Sequence, residues 1–67
     1  MISARNQLPA TIKSVTRGAV MAEVTMTVGS GEIVSAITLA SAEQLGLKVG
    51  DKVKAIIKAT EVMVEKD

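Results

Sequence analysis

From position 20 to position 28 the chain alternates without a break. Val20, Ala22, Val24, Met26 and Val28 fall on one side, and Met21, Glu23, Thr25 and Thr27 on the other. Strand side chains point to opposite faces with a period of two, so this run reads as a β-strand with one apolar face. Such a face has to be covered, and the flanking sequence offers the cover.

Upstream, 8–16 reads as a first strand with Leu8, Ala10 and Ile12 on one face. The alternation slips at Ser14 and Val15, which predicts a bulge or a strong twist. Pro9 has no N–H to give to a ladder, so its end of the strand is expected at an edge or before pairing begins. Arg17 and Gly18 form the turn into 20–28, with Gly18 expected to take positive φ. Downstream, Gly29, Ser30 and Gly31 make the next turn and 33–39 the third strand. The pattern then changes. Ser41, with Gln44 three residues later, matches a capping box, so a short helix is expected to be capped by Ser41 and stopped at Gly46. The run 52–59 is a fourth strand with Val53, Ala55, Ile57 and Ala59 inward and Lys52, Lys54 and Lys58 opposite. Ile56 interrupts that basic face and is a candidate interface residue. Thr60 and Glu61 lead to a fifth short strand, 62–64. The expected fold is all-β: a five-stranded OB-like barrel with one short helix between strands 3 and 4, residues 1–67 forming one domain.

Size and composition limit what such a barrel does. A chain of 67 residues hides only about 60% of the surface it exposes when unfolded. It has no cysteine, hence no disulfide staple and no thiolate metal site. Self-association is the usual remedy for a small aliphatic domain of this kind, so a homo-oligomer is expected. No stretch approaches the roughly 20 apolar residues of a membrane span, and the N-terminus has no basic region followed by an apolar run. A soluble cytoplasmic protein with no membrane partner is the expectation. The absence of histidine and cysteine removes the usual zinc sites and the Ser-His and Cys-His catalytic pairs, so no enzyme is expected. The seven acidic side chains are scattered singly and read as solvated surface. Gly29-Ser30-Gly31 lacks the lysine and helix that follow a phosphate-binding loop and reads as a hairpin turn. Met21, Met26 and Met63 read as core or interface filler.

The chemistry-bearing stretch is at the start. Ser3, Arg5, Asn6 and Gln7 place a hydroxyl, a guanidinium and two amides close together with no carboxylate among them. Arginine offers a rigid fork of N–H donors and serine a hydroxyl, a set suited to an oxyanion. Taken alone, the same segment also reads as a frayed arm without chemistry. Ser41 alone reads as a helix cap, Thr38 and Thr60 as strand-end residues, and Lys58 as part of a solvated face.

Together these segments resemble a known family. Ser3-Ala4-Arg5-Asn6-Gln7-Leu8, Ser35-Ala36-Ile37-Thr38, Ser41 with Leu45-Gly46-Leu47, and Lys58-Ala59-Thr60 with Val62-Met63 are similar to the motifs of the molbindins, the small molybdate-binding (Mop) proteins. The resemblance runs from Ile2 to Val64; Pro9 and the charged Glu65-Lys66-Asp67 end stand outside it. It implies an oxyanion, molybdate or tungstate, bound at subunit interfaces by Ser3, Ala4 through its backbone, Arg5, Thr38, Ser41, Lys58, Ala59 through its backbone, and Thr60. It implies a second class of site built mostly from backbone amides, for which Gly18, Ala19 and Val20 are the candidates. It also implies a hexamer, a trimer of dimers, serving molybdenum storage or homeostasis.

Two other functions fit the residues less well. An OB-type nucleic-acid module would pair Lys48, Lys52, Lys54 and Lys58 with aromatic stacking platforms. The chain has no aromatic residue and a net charge of only +1, so no nucleic-acid partner is expected. A purely structural oligomerisation domain would have no need of Arg5 or Lys58. Since arginine and lysine side chains do not titrate between neutral and mildly alkaline pH, oxyanion binding through them is expected to vary little there.

Overall fold

The computed structural model describes residues 6–66. Its core is built where the alternation is cleanest. Ala22, Val24 and Met26 on the central strand and Ala10, Ile12 and Ala55 on its neighbours are buried, and Ile12 is the one large side chain left with about 1% exposure. Leu8, Val15, Val28, Ile33, Ile37, Leu47 and Val53 pack around this nucleus while half-buried.

The element order is β1 (Asn6–Arg17), β2 (Met21–Val28), β3 (Gly31–Thr38), α1 (Leu39–Leu45) and β4 (Lys52–Ile57), followed by a 3-10 turn, Ala59–Glu61. The strands form one antiparallel sheet in the order β3-β2-β1-β4. β1 is long because it serves two partners. Its first half pairs with β4, from Asn6 opposite Ile57 to Thr11 opposite Lys52. Its second half pairs with β2, from Thr11 opposite Thr27 to Arg17 opposite Ala22. The register slips between Ile12 and Ser14. Lys13 is the extra residue, and the expected bulge lies there, one residue ahead of the slip read at Ser14 and Val15. Pro9 pairs only with β4 and lies beyond the end of β2, where a missing N–H costs no ladder bond, as its chemistry requires.

Three features differ from the sequence expectations. Among the described residues the sheet has four strands and is open: 62–64 is not a strand. Val62, Met63 and Val64 are 49%, 94% and 92% exposed. The fourth strand ends at Ile57, because the chain turns through Ala59–Glu61 with Glu61 N–H donating to Lys58 O at 2.9 Å. Ala59, expected inward on that strand, is exposed in the turn.

The helix begins earlier than Ser41. Thr38 is the N-cap, extended at φ −69° and ψ 148°, and its Oγ1 accepts the Ser41 N–H at 3.1 Å. The cap falls where β3 releases the chain, and Thr38 has the same short hydroxyl that suits Ser41 to the task. The far end is as expected, with Gly46 left-handed at φ 63°, a conformation that costs glycine nothing.

Gly18 is not in the positive-φ region. What its position demands is room: a Cβ there would sit 3.0 Å from Met21 O, to which the Gly18 N–H donates at 2.8 Å.

Candidate functional site

The sequence-derived site residues separate into two groups when the register is followed. The first group lies where β4 ends. Ile57 is opposite Asn6, so Lys58, Ala59 and Thr60 emerge beside the start of β1, and all three are exposed. Lys58 is extended (φ −66°, ψ 132°) and opens the 3-10 turn. A helical turn leaves its first N–H groups without intrahelical partners. Here the carbonyls of Lys58 and Ala59 accept from Glu61 and Val62, and the Ala59 and Thr60 amides precede the first donated bond. Ser3, Ala4 and Arg5 lie outside the described residues; they join the chain directly ahead of Asn6.

The second group lies at the other end of β1. Thr38 is opposite Met21, one residue beyond the Ala22 that faces Arg17. The Thr38 hydroxyl donates to Ser41 Oγ at 2.8 Å while accepting the Ser41 N–H. Two hydroxyls carry two protons, and their mutual bond uses one whichever way it runs. Within the pair one O–H donor is therefore left over. Thr38 is exposed and Ser41 half-buried.

Gly18, Ala19 and Val20 sit against this second group, since Leu39 N–H donates to Val20 O at 2.8 Å. The Gly18 N–H is committed to Met21 O, so the donors left to a ligand on this turn are the amides of Ala19 and Val20. The structure thus places the proposed backbone-amide residues next to Thr38 and Ser41 and away from Lys58.

The separation between the groups is large. β1 has 12 residues, and at about 3.3 Å per residue its straight length is roughly 36 Å. The bulge at Lys13 bends the strand and shortens this span, yet the register still puts the two donor groups at opposite ends of it.

Two concavities lie elsewhere. The larger, about 570 Å³, opens between β3 and β4 over the core and is bounded by Ile37, Leu45, Leu47, Val53 and Ala55; its walls are too apolar for a dianion. The smaller, about 310 Å³, is formed by Pro9, Thr11, Thr27, Gly29 and Lys52. There Lys52 Nζ donates to Thr11 Oγ1 at 3.2 Å and Thr27 Oγ1 to Thr11 O at 3.3 Å. Sequence reasoning missed this cluster because Thr11 and Lys52 are 41 positions apart. Its polar groups engage one another. Among the described residues no group of three or more acidic, histidine or cysteine side chains could hold a metal, and no helix is long and apolar enough to cross a membrane.

Residues 2–64 match the TOBE domain. The chain belongs to the TOBE-domain family. Within it, this chain is 45% identical to molybdenum-pterin-binding protein 3 of Clostridium pasteurianum over 94% of each sequence, which bears out the Mop resemblance read from its motifs. A molybdate-binding protein from Sporomusa ovata has the same fold, with a TM-score of 0.93, 48% identity and 98% of each chain covered. The cytoplasmic molybdate-binding protein ModG, in a crystal form with molybdate bound, gives a TM-score of 0.81 at 47% identity. That match covers 88% of this TOBE-domain chain and 43% of ModG.

Proposed function

We propose that the chain binds a tetrahedral oxyanion, molybdate or its close analogue tungstate, between copies of itself, as an intracellular store or buffer of molybdenum without catalytic activity. The observation that carries this reading is the Thr38–Ser41 hydroxyl pair, with one donor unspent, in a chain similar along nearly its whole length to proteins named for molybdenum.

A buried dianion must have its four oxygens met by donors, because an unmet buried charge costs far more than one hydrogen bond returns. Neither end of β1 has enough. Ser3, Ala4, Arg5, Lys58, Ala59 and Thr60 bring two positive side chains, a hydroxyl or two and backbone amides; Thr38 and Ser41 bring the O–H left over from their mutual bond. Lying at opposite ends of one strand, they complete a site when the first group of one copy meets the second group of another. Arg5 and Lys58 then offset the two charges of the ion, while hydroxyls and amides set its geometry. The Ala19 and Val20 amides are the donors of a second class of site.

The assembly is a homo-oligomer, a hexamer arranged as a trimer of dimers. In it each copy is one Mop domain over residues 1–67 and reaches the five-stranded OB-like barrel that the isolated chain leaves open. We place it in the cytoplasm, with no nucleic-acid or membrane partner.

Isothermal titration of the oligomer with molybdate, tungstate, sulfate and phosphate tests the reading. Saturable heats for the first two and much weaker ones for the others are expected, with little change between neutral and mildly alkaline pH. Absence of a molybdate heat, confirmed by native mass spectrometry showing no bound ion, contradicts it.

A further inference from the structure

β1 changes partners at Thr11, and the register sets a row of polar side chains across the sheet there. Glu32 on β3 is opposite Thr27, Thr27 is opposite Thr11, and Thr11 is opposite Lys52 on β4. Cross-strand neighbours share a face, so the four stand on the side of the sheet away from Ile12 and Met26. Thr11 and Thr27 are half-buried, while Lys52 is exposed. Instead of extending into water, the Lys52 side chain turns back over β1, and its Nζ donates to Thr11 Oγ1 at 3.2 Å. Thr27 Oγ1 spends its own proton on Thr11 O at 3.3 Å. Within this cluster, two N–H groups of the Lys52 ammonium and the O–H of Thr11 are left over. They stand at the cavity of about 310 Å³ that Thr11, Thr27 and Lys52 line together with Gly29.

The neighbouring carboxylates are engaged elsewhere. Glu32 is bound by Lys13 Nζ, Asp51 Oδ2 accepts the Lys48 N–H at 2.9 Å, and neither lines this cavity. Among the described residues, the charge of Lys52 therefore has no carboxylate set against it inside the cluster. A fixed positive charge with three donors beside it suits an anion. We propose that Lys52 and Thr11 hold a tetrahedral oxyanion of the phosphate, sulfate and molybdate class, in a site complete within one chain. At about 30 Å³ per water, the cavity takes such an ion together with several of its own waters. The oxygens away from Lys52 and Thr11 stay in solvent, so no buried acceptor goes unmet and the site does not discriminate among members of the class. It contains neither Lys58 nor Ser41 and needs no second copy, which separates it from the site proposed between chains.

Inorganic phosphate is the probe, titrated into isotope-labelled full-length protein at constant ionic strength while amide NMR shifts are followed. Saturable shifts are expected at Thr11, Thr27, Gly29 and Lys52. Lys52→Gln is expected to weaken this binding about tenfold or more, the loss of a charged donor. Thr11→Val, which keeps the branched shape without the hydroxyl, is expected to weaken it less. Lys54 shares the Lys52 face of β4 but does not line the cavity, so Lys54→Gln serves as the charge control and is expected to leave the saturable shifts in place. Equal losses from Lys52→Gln and Lys54→Gln overturn the proposal, as do shifts that never saturate, since both describe general attraction to a basic face. Should Thr11→Val fail to fold, Lys52→Gln, a change at an exposed side chain, still decides. Sulfate and molybdate are expected to displace phosphate from the same amides; failure of both to do so overturns the claim. Lys58→Ala and Ser41→Ala separate this site from the one between chains. Phosphate shifts at Thr11 and Lys52 are expected to persist in both variants, and their disappearance assigns the ion to the inter-chain site and overturns the proposal. Loss of tight molybdate binding in those variants, with the Thr11 and Lys52 shifts kept, supports both sites.

Discussion

Residues 20–28 and residues 52–64 carry the same kind of pattern, yet only part of the second becomes strand. In the first, Ala22, Val24 and Met26 are buried between two neighbours, β1 on one side and β3 on the other. In the second, the alternation holds through Val53, Ala55 and Ile57 and then stops, leaving Val62, Met63 and Val64 in the open. The physical difference is the partner edge. Among the described residues β2 has two, β4 has one, and 62–64 has none. Alternation states that a segment fits a half-buried sheet face; it does not state which molecule supplies the sheet.

The largest contrast is expected between one deletion in each region. Ile12→Ala empties a fully enclosed site and is expected to cost about 2–5 kcal/mol at any protein concentration. Val64→Ala is expected to cost nothing measurable in dilute solution and up to about 1.5 kcal/mol where the oligomer is populated. Urea unfolding at two protein concentrations measures both. If Val64→Ala is as costly in dilute solution as in concentrated, the contrast between the regions is broken.

The next effect sharpens the helix boundary. Thr38→Ala removes the cap and is expected to cost about 1 kcal/mol, with Thr38→Ser recovering most of it. Ser41→Ala, which keeps the backbone N–H that Thr38 accepts, is expected to cost less. Equal losses from the two alanine variants would restore Ser41 as the cap. The smallest effect concerns the exposed Lys13–Glu32 ion pair between β1 at its bulge and β3, whose side chains are 57% and 47% exposed. Lys13→Ala is expected to change stability by about 0.5 kcal/mol or less and to lose even that in high salt.

Much of the sheet was legible in the sequence because local chemistry dictates it. The face of β2, the place of Pro9 on a stretch of β1 paired on its β4 side alone, the slip near Ser14 and the Gly46 stop each follow from what one side chain, or its absence, permits. The helix start was not, since Thr38 and Ser41 have equivalent hydroxyls three residues apart and only the end of β3 decides between them. The turn at Gly18 was misread for a related reason. Glycine suits both positive φ and a close backbone approach, and sequence does not separate the two.

The arrangement of the site was the least legible part. Lys58 and Thr38 are both strand-end residues, and nothing in their spacing says that they leave opposite ends of β1. That follows from the register, with Asn6 opposite Ile57 and Met21 opposite Thr38. It separates the described candidates into two groups, Lys58, Ala59 and Thr60 at one end of β1 and Thr38 and Ser41 at the other.

The central claim is that each oxyanion is held by half-sites from two copies. Refolding a Lys58→Ala chain together with a Ser41→Ala chain tests it directly, with molybdate affinity read by titration against each variant alone. A mixed pair then has one interface with both residues intact and one with neither. The account predicts weakened binding for each variant alone and recovery of a fraction of wild-type-affinity sites in the mixture. A mixture that binds no better than the average of its two parents would place both residues on one ion within one chain, or neither on any, and would contradict it.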